Sequence, residues 1–235
     1  MKTILITNDD GITADGIVRL ARAAQAFGRV LVIAPEHQRS AASHSITIRE
    51  TLDLKPRDFP VAGVTAWACS GTPADCVRAG IFHLMAENPD AVLSGINRGY
   101  NLGADIQYSA TAGAALEAAH NGILSIALSE PDHGDHGITD THLPGILAEL
   151  LARQPVRNEI INVNFPYETC RGILTDRAVS RDGMYQARYR VTEPLEGGGL
   201  RLALDGIRNE SAEEGSDFRA ILDGYISIGK VRNLS

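Results

Sequence analysis

Thr3-Ile4-Leu5-Ile6-Thr7-Asn8-Asp9-Asp10-Gly11-Ile12 joins a short apolar run to two adjacent carboxylates and a glycine. Ile4, Leu5 and Ile6 suit a strand buried on both faces, as in a parallel sheet. Gly11 lets the backbone turn where a Cβ would be costly. Asp9 and Asp10 then stand at the carboxyl end of the strand, where open α/β sheets place their ligands. Like charges so close repel unless a cation or a shared proton relieves them. A hard divalent metal does this through oxygen ligands. The alternative is an Asx-type turn with two solvated carboxylates.

Downstream, Ile17, Leu20, Ala21, Ala24 and Phe27 fall at helical spacing before Gly28, and Val30 to Ile33 reads as a second buried strand closed by Ala34-Pro35. This is a βαβ unit. A polar segment from Glu36 to Ser45 leads to extended stretches at Ile46-Thr47-Ile48 and Thr51 to Leu54, then a strand over Val64 to Cys69. Thr72 as N-cap, Pro73 at the first position and Asp75 in the first turn start a helix whose apolar face is Val77, Ile81, Leu84 and Met85. Asp90 to Leu93 is a strand that runs into a glycine-bearing loop, Ser94 to Gly99. A helix follows from Ser109-Ala110-Thr111 to about Asn121, with Gly122 as its stop. Ser125 to Leu128 and Ile160 to Asn164 are strands, and Leu143 to Leu151 is a helical stripe. Beyond Pro166 the alternating stretches Arg188 to Val191 and Leu200 to Leu204 predict antiparallel hairpins. The expectation is an α/β fold over 1–165, a mainly parallel sheet with helices on both faces, followed by an extension over 166–235.

The 22 basic and 29 acidic residues give a net charge of −7, which argues against a broad grip on duplex nucleic acid. A local metal could still reverse the sign of one pocket. Cys69, Cys76 and Cys170 form no C-x-x-C pair, and no segment has the apolar length of a membrane span. A reducing cytoplasm and no membrane partner are expected.

In a parallel sheet every strand-to-helix turn lies on one edge. Asp9 and Asp10 follow the first strand, Ser40 the second, and Asn97 the strand ending near Leu93, so all four can meet in one crevice. Their oxygens suit Mg²⁺, Mn²⁺ or Ca²⁺. Ser109, Ala110 and Thr111 offer hydroxyls and free N–H groups at a helix start, an anion site or a plain N-cap. A metal beside such a helix start suits phosphoryl hydrolysis, because the cation acidifies a water while the helix holds phosphate oxygens. The G-x-G-x-x-G of a dinucleotide site and the P-loop are both missing from this sequence. His44 reads either as a proton donor to the crevice or as a structural loop histidine. Asp132-His133-Gly134-Asp135-His136 reads as a surface loop more than a metal tract, and Cys69 and Cys76 read as buried packing.

Five stretches occur together over most of residues 1–130. They are Thr7-Asn8-Asp9-Asp10-Gly11-Ile12; Ala34-Pro35 through Arg39-Ser40 to His44-Ser45; Gly71-Thr72-Pro73-Ala74-Asp75-Cys76-Val77; Ser94-Gly95-Ile96-Asn97-Arg98-Gly99 with Asn101-Leu102-Gly103; and Tyr108-Ser109-Ala110-Thr111-Ala112-Gly113-Ala114-Ala115. With Asn162 to Pro166 and Asp223 to Ser227 they resemble, in order, the motifs of the SurE (survival protein) family of metal-dependent nucleotidases. The resemblance implies a Rossmann-like domain and a C-terminal extension that builds homodimers or homotetramers. It implies hydrolysis of nucleoside 5′-monophosphates, in some members 3′-monophosphates or short polyphosphate. One divalent cation would sit on Asp9, Asp10, Ser40 and Asn97, with Asp9 or Asp10 as catalytic base. Phosphate would fall to Asn8, Asn97, Ser109, Ala110 and Thr111. The family usually has Gly where this chain has Ala110, which would be strained if the position needs positive φ or close approach of the backbone to phosphate. The alternatives are a broad phosphatase or exopolyphosphatase using the same site, and a non-catalytic, metal-dependent nucleotide sensor.

Overall fold

Ile4, Leu5 and Ile6 have no exposed surface because strand β1 (Lys2–Thr7) lies inside the main sheet. The computed structural model describes residues 1–233, so the last two residues of the expected 166–235 extension lie outside it. Helix α1 (Asp15–Ala24) leads to β2 (Gly28–Pro35), and β3 (Leu54–Arg57) and β4 (Thr65–Cys69) follow. Helix α2 (Pro73–Ala79) runs into a π-helical turn, Gly80–Leu84. Next come β5 (Ala91–Arg98), a 3₁₀ turn at Gly103–Tyr108, α3 (Ala110–His120), β6 (Leu124–Glu130), α4 (Gly137–Leu150) and β7 (Glu159–Asn164). The remainder is β8 (Ile173–Arg177), β9 (Tyr185–Pro194), β10 (Leu200–Arg208), α5 (Asp217–Leu222) and β11 (Ile226–Arg232).

Nine strands form the main sheet in the order β3-β4-β2-β1-β5-β6-β7-β11-β8. The six from β4 to β7 are mutually parallel. Strand β3 pairs antiparallel at one edge; β11 pairs antiparallel to β7 and parallel to β8. Because side chains alternate across a strand, Ile4 and Ile6 pack with Ile17, Leu20, Leu143 and Leu147 of α1 and α4, whereas Leu5 packs with Val77 and Ala114 of α2 and α3. Helices thus cover both faces, as expected. The chain leaves β1 toward β2 and returns on its other side at β5, which makes the carboxyl ends of β1 and β5 a topological switch point.

Several boundaries differ from the sequence reading. Strand β5 continues through Ser94 to Arg98, with a register shift after which Asn97 and Arg98 pair with Ser129 and Glu130. Gly95 and Gly99 made this segment read as a loop. Residues 46–48 are not a strand: Thr47 N and Oγ1 donate to the Asp75 carboxylate, at 3.0 and 2.7 Å, and the extended pairing starts only at Leu54. Pro56 is tolerated there because β3 is an edge strand. Helix α4 begins at Gly137, ahead of the stripe read from Leu143, and Pro144 lies inside it. Past Pro166, β9 and β10 form one separate antiparallel hairpin, while β8 and β11 extend the main sheet.

Candidate active site

The turn after β1 is closed by Asn8, whose Nδ2 donates to Gly11 O at 3.0 Å while its Oδ1 accepts from Gly11 N at 3.2 Å. Gly11 takes φ +100°, which a side chain would strain. Ile12 N donates to Pro35 O and Arg39 N donates to Asp9 O, so the turn is stitched to the end of β2 and the loop beyond it. Asn8, expected among the phosphate ligands, is fully buried and shapes this turn.

Asp9 is only 4% exposed, unlike the solvated carboxylate of the alternative reading. Its Oδ1 accepts from Thr111 Oγ1 at 2.6 Å. Burial pushes its pKa up to about 6; the Thr111 hydrogen bond pulls back, and neighbouring Asp10 pushes further up. The groups that ease its charge are a hydroxyl and backbone, with no cation among them. Asp10 Oδ2 accepts from Arg98 N at 3.0 Å and Oδ1 from Gln38 Nε2 at 3.4 Å. Burial raises this carboxyl as well, opposed first by the Arg98 backbone donor.

Gln38 Nε2 also donates to Ser40 Oγ at 2.9 Å, which links Ser40 to Asp10 through one amide. Asn97 Nδ2 donates to Gly99 O at 2.7 Å, which turns the amide so that Oδ1 is its remaining acceptor. Ser40 and Asp10 are thus joined through Gln38, and Asn97 lies on β5 beside Arg98, whose N–H holds Asp10. The donor set is all oxygen and doubly acidic, which fits a hard divalent cation.

At the start of α3, Ser109 is the N-cap, its Oγ accepting from Ala112 N at 2.9 Å. Thr111 spends its hydroxyl on Asp9. The first-turn N–H groups of Ala110 and Thr111 have no intrahelical acceptor, the donor arrangement that a helix start offers to an anion. Ala110 takes no positive φ, so backbone strain of that kind does not arise.

Sequence reasoning missed two contributors. Gln38 carried a weak signal, two residues before Ser40; the Arg98 N–H carried none, because a backbone donor has no residue type. His44 does not reach the carboxylates: its Nε2 meets Glu117 Oε2 at 2.9 Å. In the 132–136 loop, His133 pairs with Asp132 and packs on Tyr167 with ring centroids 4.5 Å apart, and His136 Nδ1 lies 3.0 Å from Glu130 Oε1. Among the described residues no group of three or more His, Cys, Asp and Glu could hold a metal. Cys69 and Cys76 are buried.

The family model described as Survival protein SurE matches residues 4–186. This chain belongs to the SurE family. The matched span contains every residue of the site. The 5′-nucleotidase SurE of Thermosipho africanus is 37% identical over 230 residues, covering 96% of this chain and 89% of its own. That of Clostridium botulinum (strain Loch Maree / Type A3) is 38% identical over 232 residues, covering 96% and 90%. The crystal structure of the SurE protein from Aquifex aeolicus superposes with a TM-score of 0.81 at 34% identity, over 99% of this chain and 94% of that one. The Rossmann-like SurE fold therefore extends over the chain, hairpin included.

Proposed function

We propose that this chain is a 5′-nucleotidase that hydrolyses nucleoside 5′-monophosphates to nucleoside and phosphate. The observation that carries the reading is the Thr111 Oγ1–Asp9 Oδ1 hydrogen bond, which joins the carboxylate turn to the anion-binding start of α3. Relatives named 5′-nucleotidase SurE, matching nearly the full chain, support the reaction class. Asp9, Asp10, Ser40 and Asn97 would hold one divalent cation, Mg²⁺, Mn²⁺ or Ca²⁺. When bound, the cation would supply positive charge against the phosphate and acidify water.

The chain's own residues do the rest. The N–H groups of Ala110 and Thr111 bind phosphate oxygens and hold the ester in line. Thr111 fixes Asp9 Oδ1, so a proton taken by this carboxylate goes to Oδ2. Arg98 N and Gln38 fix Asp10 in turn, one from the end of β5 and the other from the loop after β2. Action on 3′-monophosphates or polyphosphate would use the same groups.

We further propose a homodimer or homotetramer built through the 166–235 extension. Tyr189, Val191, Leu202 and Leu204 are 68, 53, 51 and 69% exposed on an isolated two-stranded hairpin. Such a hairpin is marginal in water without a surface to cover it. Among the described residues no helix is long and apolar enough to cross a membrane. The free cysteines accord with the cytoplasm as the site of action.

The test is phosphate release from nucleoside 5′- and 3′-monophosphates and short polyphosphate, with Mn²⁺ or Mg²⁺ and again with EDTA. Metal-dependent release that is lost in Asp10→Asn supports the reading. Wild-type turnover in that variant overturns it, and metal-dependent nucleotide binding without turnover would make the protein a sensor.

A further inference from the structure

The loop that carries Ser40 is fastened to α3 at three levels. Ser43 N donates to Tyr108 O at 3.1 Å and Ser43 Oγ to Gln107 O at 2.7 Å, just before the helix. One turn in, Gly113 lets the loop lie flush, since a Cβ there would stand 2.4 Å from Ser43 O. One turn further, His44 Nε2 meets the Glu117 carboxylate at 2.9 Å. Glu117 is 6% exposed, and its other oxygen accepts from Arg78 Nη1 of α2 at 3.0 Å. The Arg78 guanidinium in turn lies over the Phe82 ring, 5.3 Å from its centroid.

Between Ser40 and this anchor the backbone is strained. Ala41 and Ser43 take φ +58° and +53°, left-handed values that side chains other than Asn and Asp rarely adopt. Such conformations persist where the surroundings over-determine them, and they cluster at functional sites. On the near side, Gln38 bridges Ser40 and Asp10. On the far side, the anchor is His44 on a buried carboxylate that the Arg78 guanidinium also holds in place.

We infer that His44 is a positioning residue: gripped by Glu117, it holds the strained loop so that Ser40 Oγ stays beside Asp10 as a cation ligand. The inference rests on the function proposed above. Groups that orient metal ligands without touching the metal are worth about 10–100-fold in affinity, and His44 would act entirely through Ser40.

The experiment is calorimetric titration of Mn²⁺ into the EDTA-stripped, re-purified full chain and its variants, with circular dichroism to check folding. His44→Ala is expected to raise the Mn²⁺ dissociation constant by about tenfold. His44→Gln, which keeps a neutral donor for Glu117, should stay within about threefold of wild type. In a Ser40→Ala background, His44→Ala should add less than about twofold, because its route to the metal is already gone. Wild-type affinity in folded His44→Ala, or a full penalty that persists without Ser40, would overturn the inference and leave the nucleotidase reading standing. Should His44→Ala not fold, His44→Asn, whose shorter amide does not reach Glu117, decides: wild-type affinity in the folded variant, or a loss that persists in full in the Ser40→Ala background, would overturn it. A wild-type chain that binds no Mn²⁺ would overturn the cation site and this inference together.

Discussion

Thr111 Oγ1 donates to Asp9 Oδ1 across 2.6 Å, joining side chains 102 positions apart. The bond makes one unit of a carboxylate turn and a helix start. Thr111→Val keeps the shape and removes the donor, and is expected to cut kcat/KM by about 10–100-fold. Thr111→Ser should retain most of the activity. Initial rates of phosphate release from one nucleoside 5′-monophosphate decide it; equal rates in wild type and Thr111→Val would count against the coupling.

Asp9 also makes stability depend on pH in EDTA. Its carboxyl is pushed up to about 6 from an ordinary value of 3.8. Below about pH 4 it is protonated in both folded and unfolded chains. Between pH 4 and 6 the folded chain keeps a proton that the unfolded chain releases, so stability falls as pH rises. Above 6 the full penalty, about 3 kcal/mol, is present. Asp9→Asn should therefore raise the melting temperature of the metal-free protein at pH 7.5 and leave it nearly unchanged at pH 4. A variant that melts at or below wild type at pH 7.5 would contradict this account.

A divalent cation should stabilise most where that penalty is largest. Saturating Mn²⁺ is expected to raise the melting temperature more at pH 7.5 than at pH 5, because at pH 5 it must displace a proton from Asp9. Asp10→Asn should abolish most of the shift. An equal shift in that variant would place the cation elsewhere.

Ala110 takes an ordinary helical backbone, so restoring glycine there should gain nothing. Ala110→Gly is expected to leave kcat within about threefold and to lower the melting temperature by about 2 °C, as glycine is the poorer helix former. A large rate increase would mean that the methyl group crowds the phosphate.

The exposed hairpin face predicts an assembly that charge would break. Leu202→Glu with Leu204→Glu should reduce the particle size in size-exclusion chromatography with light scattering, with the far-UV spectrum preserved. A variant that stays the same size would acquit the hairpin.

What the sequence disclosed was local or periodic. Thr72, Pro73 and Asp75 lie within one turn, so the N-cap and the helix start were readable there, and the structure adds that Thr72 and Asp75 close a capping box. The buried strands were readable because a parallel sheet needs apolar runs. The four oxygens could be assigned to one edge because topology alone brings strand ends together. What stayed hidden depends on partners distant in sequence. Nothing near Thr111 marks Asp9, and nothing near His44 marks Glu117. Strand β5 was cut short on paper because glycine punctuates it, although its ladder with β6 resumes at Asn97. The start of α4 was missed because Gly137 to His142 carry a single apolar residue, Ile138, so the stripe showed only from Leu143.

The place of β11 matters for how the chain is made. It pairs with β7, yet β8, the hairpin and α5 are all synthesised between the two. As the chain leaves the ribosome, β7 therefore waits with an open backbone edge while the exposed hairpin takes shape beside it. Unpaired edges recruit other strands. This order of synthesis implies a nascent stage when the chain is most prone to aggregate, and it ends when residues 226–232 emerge and slot between β7 and β8.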